Sequence, residues 1–186
     1  LPEGFAPAEE LRAALTADVQ KVQFGGVAGT AGKTAAAGLL AAILREAAFH
    51  TGFYRAGCEP LSARIAIGGV SVDPVLLCQA AEALSAAKPL PREAAELAAA
   101  ARCFGAAGCK LAVVELPDAG LASALPNMPV CAVTAIGPDG VSRSVERLAA
   151  LAAGVMRKDA VCVTAPEQPK AVLSELVVAA AKAECE

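Results

Sequence analysis

Apolar residues along this chain repeat with two periods, and the switches between them divide it into elements. Residues 8–17 (AEELRAALTA) set Leu11, Leu15 and the intervening alanines on one side of a short helix. Val22 to Ala28 lacks polar alternation and reads as a strand buried on both faces. Lys33 to Ala48 returns to helical spacing, and HTGFYRAG supplies a second strand around Gly52 to Arg55. ARIAIGGVSVD alternates at Ile65 and Ile67, turns at Gly68-Gly69 and alternates again at Val70 and Val72, a hairpin signal. Asp73 as N-cap and Pro74 in the first turn open a helix to Ala86. AKPLPRE is a linker carrying Lys88, Pro89, Pro91 and Arg92, followed by a helix to Ala107 whose Leu-Ala stripe belongs to the core. Strands are then expected at Lys110–Leu116, Pro129–Ile136 and Ala160–Thr164, and helices at Ser144–Met156 and Glu167–Lys182.

Strands and helices alternate nearly throughout. The fold class this predicts is α/β: a P-loop NTPase-like three-layer sandwich, with a mostly parallel sheet, helices on both faces and a small β-hairpin. Ligands in such sheets bind beyond the carboxyl ends of the strands. A length of 186 residues suits one domain, 1–186, with a sizeable core. The apolar fraction, 56%, comes largely from alanine, and aromatics are only 3%, so close helix-on-sheet contact must replace bulky anchors.

Charge narrows the partners. A net charge of −3 with dispersed basic residues gives neither the positive stripe nor the aromatic interleaving of a nucleic-acid surface. The longest apolar run, Thr34 to Leu44, is too short to span a bilayer, so no membrane partner is expected. Seven scattered cysteines without a Cys-x-x-Cys pair fit a reducing cytoplasm. Most lie on apolar elements and read as small hydrophobes; Cys58, in a loop, is the exception but has no histidine nearby in sequence. His50 reads as a solvated helix-end residue, and Arg55 and Arg64 read as solvated charges.

The chemistry concentrates in VQFGGVAGTAGKTAAAGLL. A phosphate cradle needs inward-pointing backbone N–H groups at a helix N-terminus, glycines where a side chain would block the phosphate, a lysine for charge and a hydroxyl for magnesium. Gly29, Gly32, Lys33 and Thr34 supply these between a predicted strand and a predicted helix. Val27 stands where the commoner pattern has its first glycine, which leaves the shorter turn Gly29-Thr30-Ala31-Gly32-Lys33-Thr34. Glu115 ends the apolar run Leu111 to Val114, and a carboxylate at the end of a central parallel strand lies beside such a loop, where it can hold Mg²⁺ directly or through water.

This turn resembles the Gly-Thr-x-Gly-Lys-Thr/Ser loop of the Mur ligase family, and VAGTAGKTAAAGLLAAILREAAFHTGFY is most similar to its folylpolyglutamate synthase branch. ARIAIGGVSVD, CKLAVVEL, VTAIGPDG and AAGVMRKDAVCVTAPEQPKAVLSEL resemble that branch's hairpin, Glu-ending strand, Asp-His strand end and domain-closing segment. The likeness runs over nearly the whole chain but only the first of two domains. It implies an ATP- and Mg²⁺-dependent ligase that adds glutamate to a folate-like molecule through an acyl phosphate. Gly29, Thr30, Ala31, Gly32, Lys33 and Thr34 would hold the nucleotide, with Lys33 also catalytic, and Thr34 and Glu115 would hold the metal. The C-terminal domain of such ligases is absent, and the chain begins at Leu1 rather than Met, so a further domain or a protein partner is expected.

The chain departs from the family at its metal ligands. Gly140 replaces the histidine after Asp139, Ala152 replaces the lysine that is usually carbamylated, and Ala56-Gly57-Cys58-Glu59-Pro60 replaces a Thr-Ser-Pro-His stretch. Together these changes remove the second metal site and weaken the first; Asp118 is a further acid near the site. Two other functions therefore stand beside the ligase: a nucleotide- or phosphate-binding module that senses or scaffolds without ligation, and an unrelated P-loop phosphotransferase, against which the hairpin and closing segment count.

Overall fold

In the computed structural model, which describes residues 7–85, 89–138 and 144–186, seven strands form a single twisted sheet. In chain order they are β1 (Gln23–Ala28), β2 (Thr51–Tyr54), β3 (Ile65–Ile67), β4 (Val70–Ser71), β5 (Leu111–Glu115), β6 (Val130–Val133) and β7 (Val161–Thr164). The helices are α1 (Pro7–Ala14), α2 (Lys33–Glu46), α3 (Pro74–Ser85), α4 (Arg92–Ala106), α5 (Val145–Ala152) and α6 (Lys170–Ala183). The spatial order is β4-β3-β2-β5-β1-β6-β7. β2, β5, β1, β6 and β7 are mutually parallel, whereas β3 and β4 join the β2 edge antiparallel. The expected hairpin thus extends the main sheet, and β1 sits near its middle, flanked by β5 and β6.

Helices cover both faces, unequally. On one face Phe24, Ala28, Val114, Cys131 and Val133 join residues from α1, α3, α4, α5 and α6 in one large buried cluster. On the other, Val27 and Val113 pack with Ala37, Leu40 and Leu44 of α2. The two sets alternate along β1, as a strand buried on both sides requires. Alanines make the first face possible, since Ala94, Ala98 and Ala101 of α4 are fully buried and let that helix approach closely. Phe104, one of the few aromatic anchors, lies against Gly52, where a Cβ would come within 2.5 Å of its ring.

Among the described residues, the expected strands and helices hold to within a few residues. Ala119–Ala124 forms a 3-10 helix where the sequence reading assigns no element, as do Val19–Lys21 and Leu61–Ala63. The helix expected at 144–156 stops at Ala152 and continues as a 3-10 turn, Ala153–Val155. Asp73 acts as foreseen, its Oδ1 accepting from Val75 N at 2.8 Å.

Arg64 requires a correction. It is not a solvated charge but is 2% exposed, paired with Glu96 at 2.8 Å, donating to Glu59 O at 2.9 Å and lying 5.9 Å from the centre of the Tyr54 ring. Burial alone would raise the Glu96 carboxyl, but hydrogen bonds from Arg92 and Arg64, with the charges behind them, hold it below the usual carboxylate range. Burial also pushes the Tyr54 hydroxyl up to about 12, against the lowering effect of Arg64. This ion pair ties the hairpin side of the sheet to α4.

Candidate functional site

The turn between β1 and α2 is shaped by two glycines. Gly29 has φ +131°, and a Cβ there would also overlap Thr134 Oγ1 on the neighbouring strand end. Gly32 has φ +80° and caps α2, with open space where its side chain would be. Between them the loop is pinned to the end of β6. Thr30 N and Ala31 N both donate to Ala135 O at 3.1 Å, Thr30 Oγ1 donates to the same carbonyl at 3.1 Å, and Gly137 N donates to Thr30 Oγ1 at 2.9 Å. Gln168 braces this support from behind: its Nε2 donates to Thr134 O at 2.9 Å, and its Oε1 accepts from Ile136 N at 3.1 Å.

The amides of Thr30 and Ala31 are therefore engaged within the protein. Those of Gly32, Lys33 and Thr34 have no protein acceptor among the described residues. They stand at the positive end of a 14-residue helix with no acidic side chain in its first turn. Lys33 makes no ion pair among the described residues. Thr34 Oγ1 donates to Glu115 Oε2 at 2.9 Å across the β1–β5 boundary, and Glu115 is 5% exposed. The register explains their meeting: Val27 pairs with Glu115, so the strand carrying the acid ends level with the start of the loop.

In front of the loop opens a cavity of about 570 Å³. Its walls carry Lys33, Glu93 and Asp118, Arg147 and Ala152 from α5, and apolar groups including Leu116 and Leu148. Asp118 thus stands beside the site as expected, with its Oδ1 accepting from Gly120 N at 2.9 Å. Glu93 and Arg147 were not singled out in the sequence. For Arg147 the signal was available, since it is a cation in the first turn of a helix, where the helix dipole disfavours positive charge.

Comparison with solved structures decides the fold. The chain matches Mycobacterium tuberculosis folylpolyglutamate synthase complexed with ADP at TM-score 0.82 and 22% identity, covering 97% of this chain and 45% of that one. It matches E. coli FolC in complex with DHPP and ADP at TM-score 0.84 and 19% identity, covering 99% and 46%. The bifunctional folylpolyglutamate synthase/dihydrofolate synthase of Yersinia pestis gives 0.83 and 20%, covering 99% and 48%. The chain has the folylpolyglutamate synthase fold. It spans somewhat less than half the length of these structures. No family model matches the sequence, and no curated protein does.

Within the folylpolyglutamate synthase fold the chain's own departures can be placed. Ala152 lines the cavity and offers a methyl group where the resemblance implies a metal ligand. Asp139 and Gly140, like Lys88 of the linker, lie outside the described residues. None of residues 56–60 lines the cavity; Glu59 instead pairs with Arg55 at 2.9 Å. His50 is exposed, its Nε2 3.1 Å from Ala107 O. Cys58 and Cys78 are exposed, whereas burial pushes the thiols of Cys103 and Cys109 up to about 11 each, which disqualifies both as nucleophiles.

Among the described residues no three His, Cys, Asp or Glu side chains are grouped to hold a metal. A hydroxyl and a buried carboxylate beside the glycine turn nevertheless suit Mg²⁺, which prefers oxygen donors and takes most of its shell from water and phosphate. Thr34 and Glu115 fit one such ion. Among the described residues, the wall holding Ala152 and Arg147 does not fit a second.

Proposed function

We propose that this chain binds a nucleoside triphosphate, ATP in the first instance, together with Mg²⁺, as the nucleotide-binding part of a ligase of the folylpolyglutamate synthase type. One observation carries this reading: three amides and a lysine without partners among the described residues gather with a hydroxyl–carboxylate pair at the head of α2, where Lys33 lines the cavity. The β- and γ-phosphates would lie on the amides of Gly32, Lys33 and Thr34, with Lys33 neutralising the charge that develops as the γ-phosphoryl is transferred. Thr30 and Ala31 shape the turn through their bonds to Ala135 O and can offer amides only if those bonds open. When bound, Mg²⁺ would supply charge neutralisation at the phosphates.

The ligands of structures with this fold support a substrate class. One structure is a complex of AMPPCP with folate and another of ADP with DHPP, which supports a folate-like acceptor, with glutamate as the incoming amine. The acceptor and amine would be closed over the nucleotide by a further domain or a partner protein, in keeping with the share of those structures that this chain spans. No helix among the described residues is long and apolar enough to cross a membrane, and seven free cysteines suit a cytoplasmic setting.

A second reading has its own observation. The apolar Ala152 on the cavity wall, with no second metal site among the described residues, favours a module that binds nucleotide without ligating anything. Calorimetric titration with ATP, with and without Mg²⁺, tests what both readings share. The expected result is millimolar or tighter binding that weakens in chelator. Absence of heat with ATP, ADP and GTP would remove both readings. Folate-dependent ADP release from this chain alone is expected to be nil, and robust turnover would overturn the second reading.

A further inference from the structure

Arg147, from α5, lines the same cavity as Lys33, from α2, and its side chain makes no ion pair or hydrogen bond among the described residues. Its backbone is fixed: Arg147 N donates to the Ser144 N-cap hydroxyl at 3.3 Å, which pins the first turn of α5. A guanidinium in that turn opposes the helix dipole; Glu146, the acid of the same turn, forms no ion pair with it among the described residues. The other charged groups on the cavity are Glu93 and Asp118, and one oxygen of Asp118 is already bonded to Gly120 N. Two cations on one cavity, neither of them paired among the described residues, mark a place where an anion would satisfy both.

We infer that Arg147 and Lys33 form a two-cation clamp, in which the guanidinium binds the terminal phosphate of a nucleoside triphosphate from the side away from the loop. The inference rests on the nucleotide reading above and extends it, because it assigns to an arginine the charge neutralisation that no second metal can supply beside Ala152. Arginine suits this role because its planar fork offers two parallel N–H groups to phosphate oxygens and is charged at any working pH. The clamp distinguishes the phosphates. A diphosphate ends at the loop and reaches Lys33 alone, whereas a triphosphate reaches both cations.

The test compares the whole chain with Arg147→Ala and Arg147→Lys. Affinities for ADP and for the non-hydrolysable imidotriphosphate analogue of ATP are measured by calorimetry in Mg²⁺. Arg147 is exposed, so both variants should keep the parent's melting temperature. Arg147→Ala is expected to weaken the triphosphate analogue about tenfold while leaving ADP within about twofold, and Arg147→Lys to retain part of the preference. Equal affinities in parent and variant for both nucleotides, or an equal loss for both, would overturn the clamp while leaving the nucleotide site standing. A parent chain that binds neither nucleotide would overturn both.

Discussion

The two walls of the cavity are built alike and equipped differently. Each presents the start of a helix that follows a parallel strand, α2 after β1 and α5 after β6. Around the head of α2 stand glycines with positive φ, amides unengaged among the described residues, a lysine on the cavity and a hydroxyl hydrogen-bonded to a buried acid. The α5 wall carries an alanine and an arginine and, among the described residues of that helix that line the cavity, no metal-binding side chain. The difference teaches that holding a phosphate and organising its transfer are separable. The first needs only backbone geometry and one ammonium group, whereas the second needs charge placed at the far side of the phosphoryl group.

Both walls stand on one frame, so the largest expected effect comes from neither. Glu96→Ala leaves the buried Arg64 without its partner and is expected to cost about 3–5 kcal/mol of stability, read as a lower urea midpoint. Nucleotide affinity measured where the variant is still folded should be retained; its loss would tie the site to the α4 frame more closely than the two-wall comparison allows. Next, Lys33→Ala should weaken the triphosphate about a hundredfold, roughly 2.7 kcal/mol, without lowering the melting temperature. A loss no larger than that of Arg147→Ala would mean that the walls are equals.

Glu115→Gln acts on the same side as Lys33 but through the metal. It should reduce affinity in Mg²⁺ about tenfold and bring it to the value measured in chelator. A metal dependence that survives the change would place the ion elsewhere. The smallest effect is that of acidity on the frame. Because the Glu96 carboxyl is held below its unfolded value, its contribution is fully present above about pH 4.3 and disappears as pH falls through the lower folded value. Urea midpoints at pH 7 and pH 3 should therefore differ less in Glu96→Gln than in the parent chain.

Much of this was legible in the sequence for identifiable reasons. The phosphate loop could be read because its chemistry is local: Gly29, Gly32, Lys33 and Thr34 are adjacent, and strand and helix periods bracket them. Glu115 could be read because it closes an apolar strand, and its distance to Thr34 followed from the parallel register. Arg64 and Glu96 could not. Their partnership joins the segment before β3 to the first half of α4, and each residue alone looks like an ordinary surface charge. Gln168 escaped for the same reason, since its amide reaches back to Thr134 and Ile136 from the loop after β7. The 3-10 helix at Ala119–Ala124 carries no period in a run of Pro, Gly and Ala, and it forms because its alanines and Leu121 are buried by tertiary packing.

A crystal structure of the chain with Mg²⁺ and the imidotriphosphate analogue tests the central claim most directly. The expected result is phosphate density over the amides of Gly32, Lys33 and Thr34, with the Lys33 Nζ on the outer phosphates. A loop closed over itself, with Lys33 turned away and phosphate bound elsewhere or not at all, would contradict it.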